Sequence, residues 1–227
     1  MNIKDIKILI ACEESQTVCK AFRESGFIAY SNDIQECSGG HPEWHLKMDC
    51  FKAINQINPL LLIAHPPCTY LSFTGNSWFN VDKYGEKAIE RHYKRIEAFE
   101  FFYKLWSFDI NHICIENPAG YVMNYIKYSQ MIHPYYFGDE YTKKTLLWLK
   151  NLPLLIHSKD NNLFDSKTHV DKGEMCKSGS IKYWGADILK LSNNERSKLR
   201  SKTSPCIAKA MAEQWGNYLI NEYNLTL

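Results

Sequence analysis

Residues 6–33 read IKILIACEESQTVCKAFRESGFIAYSND, and their pattern decides the fold class. The apolar run 6–11 is typical of a buried strand, and residues 15–26 have a helical pattern that ends at Gly26. Residues 27–33 are a second apolar strand, which ends in Asp33. A strand, a helix and another strand in succession predict a parallel β-α-β unit.

The same alternation continues to Pro118. The further segments are a short helix at 51–57, a strand at 60–65, a long amphipathic helix at 86–106 and a strand at 112–118. Short apolar strands separated by helices predict an α/β fold. We expect a Rossmann-like, mostly parallel sheet with helices on both faces and a small irregular excursion toward the C-terminus.

Three regions follow from this pattern. Residues 1–150 are predicted to form a Rossmann-like catalytic or nucleotide-binding core. Residues 151–203 are polar, lysine-rich and weakly periodic, which indicates a basic irregular insertion. Residues 204–227 contain an apolar helical pattern with Pro205 near its first turn, which predicts a C-terminal helix returning to the core.

Composition narrows the class of protein. The 227-residue chain is 45% hydrophobic and 14% aromatic, as in folded proteins. No apolar run approaches the roughly 20 residues of a membrane span, and the first residues lack the pattern of a signal peptide, so we expect a cytoplasmic protein with no membrane partner.

The net charge of +2 hides an asymmetry along the chain. Residues 142–210 carry 14 Lys+Arg against 6 Asp+Glu, whereas the remainder carries 13 against 19. A basic C-terminal third is compatible with phosphate binding, and a solvated lysine-rich surface would have the same composition.

The eight cysteines are scattered and several lie in apolar runs, which favours reduced thiols. Cys37, His41, His45 and Cys50 form a C-x3-H-x3-H-x4-C series, but zinc ligands usually come as matched, closely spaced pairs. A structural zinc is therefore the less favoured alternative, and we predict no metal.

Reactive side chains follow the predicted strands: Cys12–Glu13–Glu14, Asp33, His65–Cys68 and Glu116–Asn117. The carboxyl ends of parallel strands share one edge of the sheet, so we expect one cleft there. Two prolines fix φ angles just before Cys68, which suits either a nucleophile held in place or a packed loop cysteine. A thiol opposite a carboxyl group suits attack on a conjugated heterocycle.

The stretches HPPC (65–68) and IENP (115–118) resemble the cytosine-5 DNA methyltransferases, in which one strand leads to Pro-Pro-Cys and a later strand to Glu-Asn-Val. FGDEYTKKTLLWLKNLP (137–153) and RSKTSPCIAKAMAEQWG (200–216) look more specifically like a compact subgroup common in phage and prophage sequences. The resemblance covers nearly the whole chain and implies a bacterial or phage-infected host cell.

The resemblance also implies roles for individual residues. Cys68 would add to C6 of cytosine while Glu116 stabilises the ring protonated at N3, and a target base in a duplex would be flipped out first. The implied catalytic residues are Cys68, Glu116 and Asn117. The implied S-adenosylmethionine-binding residues are Ala11, Cys12, Glu13, Asp33, Asp49, His65 and Pro67. The implied residues that bind DNA or a nucleotide substrate are Ser72, Thr74, Asn76, Trp78, Lys143 and Lys144.

Some features differ from that family. The loop ACEESQ (11–16) stands where the family has glycines, and roughly 50 residues after Lys144 are fewer than a usual domain. Lysines stand where bidentate arginines are expected. A nucleotide-type ligand-binding protein without methyl transfer, or another modification through the same Cys68 adduct, are therefore open alternatives. Trp78 and Phe79 suit either an aromatic shelf for a base or core packing.

Overall fold

The computed structural model describes residues 2–157, Ser192 and residues 201–226. In these residues one sheet has seven strands: β1 (Lys7–Ala11), β2 (Ile28–Asp33), β3 (His45–Lys47), β4 (Leu61–Ala64), β5 (His112–Pro118), β6 (Gln130–Ile132) and β7 (Thr145–Lys150). The helices are α1 (Thr17–Glu24), α2 (Cys50–Ile57), α3 (Val81–Tyr84), α4 (Glu86–Trp106) and α5 (Pro205–Glu222).

The strand order is β3-β2-β1-β4-β5-β7-β6. The neighbours from β3 to β5 are all parallel, and β7 runs antiparallel to both β5 and β6. The fold is therefore α/β with a Rossmann-like, mostly parallel sheet, which confirms the predicted fold class. The four predicted strands agree with β1, β2, β4 and β5 to within one or two residues.

Helices cover both faces of the sheet, as predicted. Along β1, Ile8 and Ile10 pack into the apolar cluster that contains α1 and α5. The intervening Leu9 and Ala11 pack into the opposite cluster, which contains α2 and α4. This division follows from the two-residue period of a strand, and burial on both faces explains why β1 reads as a continuous apolar run.

The C-terminal helix begins and ends in contact with the core. Ser204 caps α5, because its Oγ accepts a hydrogen bond from Ile207 N at 3.2 Å. Trp215 is fully buried and its Nε1 donates to Pro153 O at 2.9 Å. Most of the insertion predicted at 151–203 lies outside the described residues. None of the described helices combines the length and apolar character needed to cross a membrane.

The order of the strands reverses beside β1. From β1 the chain proceeds outward through β2 to β3, and it then returns to the other side of β1 to form β4 and β5. Ligands of open α/β sheets bind beyond the carboxyl ends of the strands at such a reversal. The residues that follow β1, β2, β4 and β5 therefore lie where a ligand of such a sheet would bind.

Candidate active site

The turn that carries Cys68 is held by the neighbouring strand. His65 N donates to Ala11 O at 3.0 Å, and the buried Asn117 side chain donates from Nδ2 to Pro66 O at 2.8 Å. Cys68 O accepts hydrogen bonds from the backbone amides three and four residues later, Leu71 N at 3.0 Å and Ser72 N at 2.9 Å. Cys68 itself is exposed, as is Pro67. An exposed cysteine thus lies on a turn that follows β4 and that β1 and β5 hold in place.

Glu116 lies in a buried polar cluster beside this turn. Its Oε2 is 3.2 Å from His65 Nδ1 and accepts from Thr203 Oγ1 at 3.3 Å, and its Oε1 is 4.0 Å from Lys143 Nζ. The side chains of Glu116 and His65 are each 10% exposed. Three segments distant in sequence therefore converge on the Glu116 carboxylate.

The charges of this pair follow from their surroundings. Burial acts to raise the pKa of Glu116, but the hydrogen bond and charge of His65, the charge of Lys143 and the Thr203 hydroxyl outweigh it and lower that pKa to about 2. Burial likewise acts to lower the pKa of His65, but Glu116, with Glu13 farther away, raises it above its usual value. Glu116 is consequently a carboxylate at neutral pH.

The carboxylate of Glu13 caps the first turn of α1. Its Oε1 accepts from Val18 N at 2.6 Å and its Oε2 from Cys19 N at 3.2 Å, and the residue is only 4% exposed. Burial raises the pKa of Glu13, and these amides and His65 act in the opposite direction. The carboxylate therefore occupies the anion-binding end of α1 that a ligand carboxylate or phosphate would otherwise use.

The loop 11–16 bends sharply without glycine. Cys12 and Gln16 both have φ of 59°, in the left-handed region that glycine tolerates best. Cys12 packs against Cys50 and shares a side-chain hydrogen bond with it. This hydrogen bond, followed by burial, raises the pKa of Cys12 well above its usual range. The strained backbone at Cys12 and Gln16 thus places Cys12 and Glu13 at the end of β1.

Two acids act electrostatically on Cys12. The charges of Asp33 and Asp49 both contribute to the raised pKa of Cys12, which shows that they are close to it. Asp33 Oδ1 accepts from Gln35 N at 2.9 Å. Asp49 Oδ1 caps α2 by accepting from the amides of residues 51 and 52.

The loop after Cys68 is anchored to α4 by a buried arginine. Arg95 Nε donates to Tyr70 O at 2.9 Å, and its Nη2 donates to Asn76 Oδ1 at 2.6 Å. The guanidinium lies 3.3 Å from the ring centroid of Phe79, which is a buried core residue. Trp78 is 55% exposed and packs on Tyr84 with ring centroids 5.0 Å apart. The two aromatic residues thus have different environments, with Phe79 inside and Trp78 facing solvent.

Ser72 and Thr74 belong to the same loop. Their hydroxyl oxygens are 2.9 Å apart, and Ser72 Oγ accepts from Thr74 N at 3.2 Å. Ser72 also forms an isolated antiparallel bridge with Gly120, beyond the end of β5. The structure therefore places Ser72, Thr74, Asn76 and Trp78 on one surface loop, where Asn76 supports Arg95.

The two lysines before β7 have different neighbours. Lys143 contacts Glu116 and donates from Nζ to Lys202 O at 3.1 Å. Lys144 is exposed and lies near His133, where its charge, after burial, lowers the pKa of that histidine. Lys143 is thus brought into the Glu116 cluster, and Lys144 faces solvent outside it.

Thr203, Arg95 and Ile34 belong to this region and were not predicted. Thr203 contacts Glu116 across 87 positions of sequence, and no local pattern signals such a contact. In the sequence, Arg95 looks like any other charged residue of an amphipathic helix. Ile34 is 75% exposed directly after Asp33, and an apolar residue following a strand-end acid was the available signal.

Three of the four residues of the zinc alternative have other partners. His45 contacts Ser31 Oγ through Nδ1 at 2.9 Å and Gln35 O through Nε2 at 2.9 Å. His41 Nδ1 is 3.0 Å from a Glu43 oxygen, and Cys50 packs on Cys12. Within residues 2–157 and 201–226, no group of three or more Cys, His, Asp or Glu side chains is arranged to hold a metal ion.

Comparison with protein-family models and with curated proteins gave no match. Among solved structures, the chain is similar to the Entamoeba histolytica methyltransferase EhMeth, with 14% identity and a TM-score of 0.45. The alignment covers 75% of this chain and 58% of that one, so the chain spans less than two thirds of that protein.

Proposed function

We propose that this protein transfers a methyl group from S-adenosylmethionine to C5 of cytosine in DNA or in a nucleotide. One observation carries the proposal: an exposed cysteine lies on a turn braced by β5, three residues after the histidine that contacts a buried carboxylate of that same strand. A ligand-binding cleft has no need of this pair, whereas nucleophilic attack on a pyrimidine uses both members.

Cys68 would act as the nucleophile. Addition of its thiolate to C6 saturates the C5–C6 bond and makes C5 electron-rich. The Glu116 carboxylate would accept hydrogen bonds from the N3 and exocyclic amine edge of the ring, which favours the protonated form of the base. Asn117 would serve indirectly, because its bond to Pro66 O fixes the turn that carries the thiol.

The residues at the ends of β1 and β2 fit the adenosine part of the cofactor. The carboxylates of Asp33 and Asp49 are acceptors for ribose hydroxyls and an adenine amine, and the exposed side chain of Ile34 offers an apolar surface for a ring. An acid-rich cleft also suits a ligand with a sulfonium and an ammonium group. When bound, S-adenosylmethionine would supply the methyl group as an electrophile.

Residues of the loop after Cys68 would bind the nucleic acid or nucleotide. Trp78 presents an aromatic face at 55% exposure, which suits stacking against a base. The exposed Lys144 and the hydroxyls of Ser72 and Thr74 suit contacts with phosphate.

A second candidate function is binding of a nucleotide-type ligand without methyl transfer. The observation that favours it is the position of Glu13, whose carboxylate fills the N-terminal end of α1. The methionine carboxylate of the cofactor would then have to be bound elsewhere.

The first experiment separates these functions at the cofactor step. S-adenosylmethionine and S-adenosylhomocysteine are titrated calorimetrically into the protein, with and without a cytosine-containing oligonucleotide. We expect micromolar binding that Asp33→Ala weakens at least tenfold, whereas Asp109→Ala, at an exposed acid between α4 and β5, leaves it unchanged. Absence of binding at millimolar cofactor under both conditions rules out the methyltransferase function.

The second experiment tests the chemistry. Tritiated methyl transfer is measured on single-stranded and duplex oligonucleotides and on deoxycytidine nucleotides. We expect product with wild-type protein and with Cys37→Ser, and no product with Cys68→Ser. Cofactor binding without transfer to any of these substrates would favour the binding-only alternative.

A further inference from the structure

The proposed chemistry needs a proton that Glu116 does not hold. Thiolate addition at C6 places negative charge on the N3 and O2 side of the ring, so a proton must reach N3 as the adduct forms. Glu116 contacts three donors and is ionised at neutral pH. A carboxylate can orient the ring edge and pass a proton along, but the proton has to come from a neighbouring group.

We propose that His65 is the proton store for this step and acts through Glu116 as a positioning residue. The inference rests on the proposed attack of Cys68 on cytosine and goes beyond it by assigning the source of the proton. His65 Nδ1 is 3.2 Å from Glu116 Oε2, and only a protonated nitrogen can face a carboxylate at that distance.

The surroundings of His65 favour the charged imidazolium. Glu116 on β5 pairs with it directly, and the buried Glu13 from the β1–α1 loop adds a second negative charge. Lys143, which precedes β7, acts in the opposite direction, and Thr203, which precedes α5, binds the same Glu116 oxygen as His65. The negative charges of the two carboxylates outweigh the positive charge of the lysine. The proton therefore stays on the imidazole until it is transferred to Glu116.

The second ring nitrogen distinguishes His65 from a purely structural histidine. His65 Nε2 is buried and has no hydrogen-bond partner among the described residues. A purely structural buried histidine normally uses both nitrogens, as His112 does with Asn151 O and the Tyr223 hydroxyl. Within the part of the chain that the structure describes, the imidazole of His65 makes one hydrogen bond, to Glu116.

The proton balance of the step is simple. Cys68 thiolate forms the S–C6 bond, and the C5–C6 π electrons shift so that N3 gains a proton through Glu116. His65 loses its Nδ1 proton to Glu116 and becomes neutral, while Glu116 ends the step as a carboxylate. No oxidant or reductant is required, and reversal of the step returns the proton to His65.

The test uses exchange of the C5 hydrogen, which needs the Cys68 adduct and N3 protonation but no cofactor. Full-length protein is incubated in D₂O with a cytosine-containing single-stranded oligonucleotide, and deuterium at C5 is measured by mass spectrometry. The matched variant is His65→Asn, whose amide nitrogen replaces Nδ1 as a donor but cannot release a proton. His41→Gln, at a histidine near the start of β3, is the control.

We expect His65→Asn to slow exchange about 100-fold, in the range of general acid catalysis, and His41→Gln to have no effect. The wild-type rate should fall as pH rises through the pKa of His65, and that fall should be absent from His65→Asn. An NMR titration of wild-type protein supplies the pKa independently, so the comparison holds even where the variant folds poorly.

The outcomes separate the two proposals. Equal exchange rates and equal pH profiles in wild type and His65→Asn would overturn the role of His65 and leave the proposed function intact. An alkaline limb that does not coincide with the NMR titration would also overturn it. Exchange without methyl transfer would contradict the methyltransferase function alone, and absence of both reactions in wild-type protein would contradict both proposals.

Discussion

At the scale of single residues, the charge of Glu116 is decided by groups from three distant places in the chain. His65 follows β4, Lys143 precedes β7 and Thr203 precedes α5, and together they lower the pKa of Glu116 to about 2 despite its burial. A lowered pKa means that the folded state binds the proton less readily than the unfolded state. This group therefore stabilises the fold above the usual glutamate pKa and loses that effect as pH falls toward 2.

Glu116→Gln removes this titration. Between pH 5 and pH 2 we expect the free energy of unfolding of the wild type to fall by on the order of 3 kcal/mol more than that of the variant. Urea denaturation followed by circular dichroism at each pH measures the difference. Glu100→Gln, at an exposed position on α4, should follow the wild-type pH dependence, and an identical slope in Glu116→Gln would contradict the prediction.

Gly120 is required for space and not for its backbone angles. Its φ of 178° is extended and open to any residue. A Cβ built there would lie 1.9 Å from Leu71 O, a backbone atom of the loop that carries Cys68, and Tyr121 N donates to that same oxygen at 2.7 Å. A side chain at this position must push the Cys68 loop away from β5.

We expect Gly120→Ala to lower the free energy of unfolding by about 2 kcal/mol, in the range of overpacking, and to reduce substrate turnover at least tenfold. Gly75→Ala is the matched variant in the same loop. There the nearest atom is the flexible end of Arg91 at 3.0 Å, so its effect should stay below about 1 kcal/mol. Equal losses in the two variants would show that the contact with Leu71 is not limiting.

Local patterns in the sequence pointed to candidate reactive residues but not to the partners of those residues. Cys68 and Glu116 were predicted from short local patterns, and the structure places them at the ends of adjacent strands. The support that Asn117 gives to Pro66, and the contact of Thr203 with Glu116, arise from tertiary approach over 51 and 87 positions. Such distances leave no periodic or spacing signal in one sequence.

At the scale of elements, α4 does more than cover one face of the sheet. Arg95 reaches from its buried side to Tyr70 O and Asn76 Oδ1, and its guanidinium packs on Phe79. This one side chain therefore joins the helix to both ends of the loop after Cys68. The loop depends on α4 for its order because buried carbonyl and amide groups without a donor are costly.

Arg95→Met keeps the apolar stem but removes both hydrogen bonds. We expect a loss of about 2 kcal/mol in the free energy of unfolding and faster amide hydrogen exchange in residues 69–79. The neighbouring Lys94→Met removes only an exposed pair with Glu90 and should cost less than about 1 kcal/mol, without change in loop exchange. Unchanged exchange in Arg95→Met would mean that other contacts hold the loop.

Elements with strong periodicity were predictable, and short ones were not. The alternation of apolar strands and helices up to Pro118 located β1, β2, β4 and β5. The strands β3 and β6 have three residues each, too few for a period to appear, and β7 lacks the preceding helix that marks a parallel crossover. The positions of β3, β6 and β7 in the sheet depend on pairing with strand edges that exist only once the core has folded.

At the scale of the whole molecule, one sheet serves two cores. Adjacent residues of β1 point into opposite apolar clusters, so neither cluster can be lost without removing a strand from the other. Each cluster contains a fully buried tryptophan with a hydrogen-bonded indole. Trp215 donates to Pro153 O and Trp148 donates to Ile126 O, both at 2.9 Å. These two residues form a matched pair of probes on opposite faces.

Trp148→Phe and Trp215→Phe should each lower the free energy of unfolding by about 2 kcal/mol, because each loses buried volume and a hydrogen bond. In both variants the midpoints from circular dichroism and tryptophan fluorescence should coincide, since the shared sheet makes unfolding of the two faces one transition. Trp78→Phe, at a solvent-facing position, should change stability by less than about 0.5 kcal/mol. Separation of the two midpoints in either core variant would show that the faces unfold independently, and the cleft between them would then not be rigid enough to hold Cys68 and Glu116 in register.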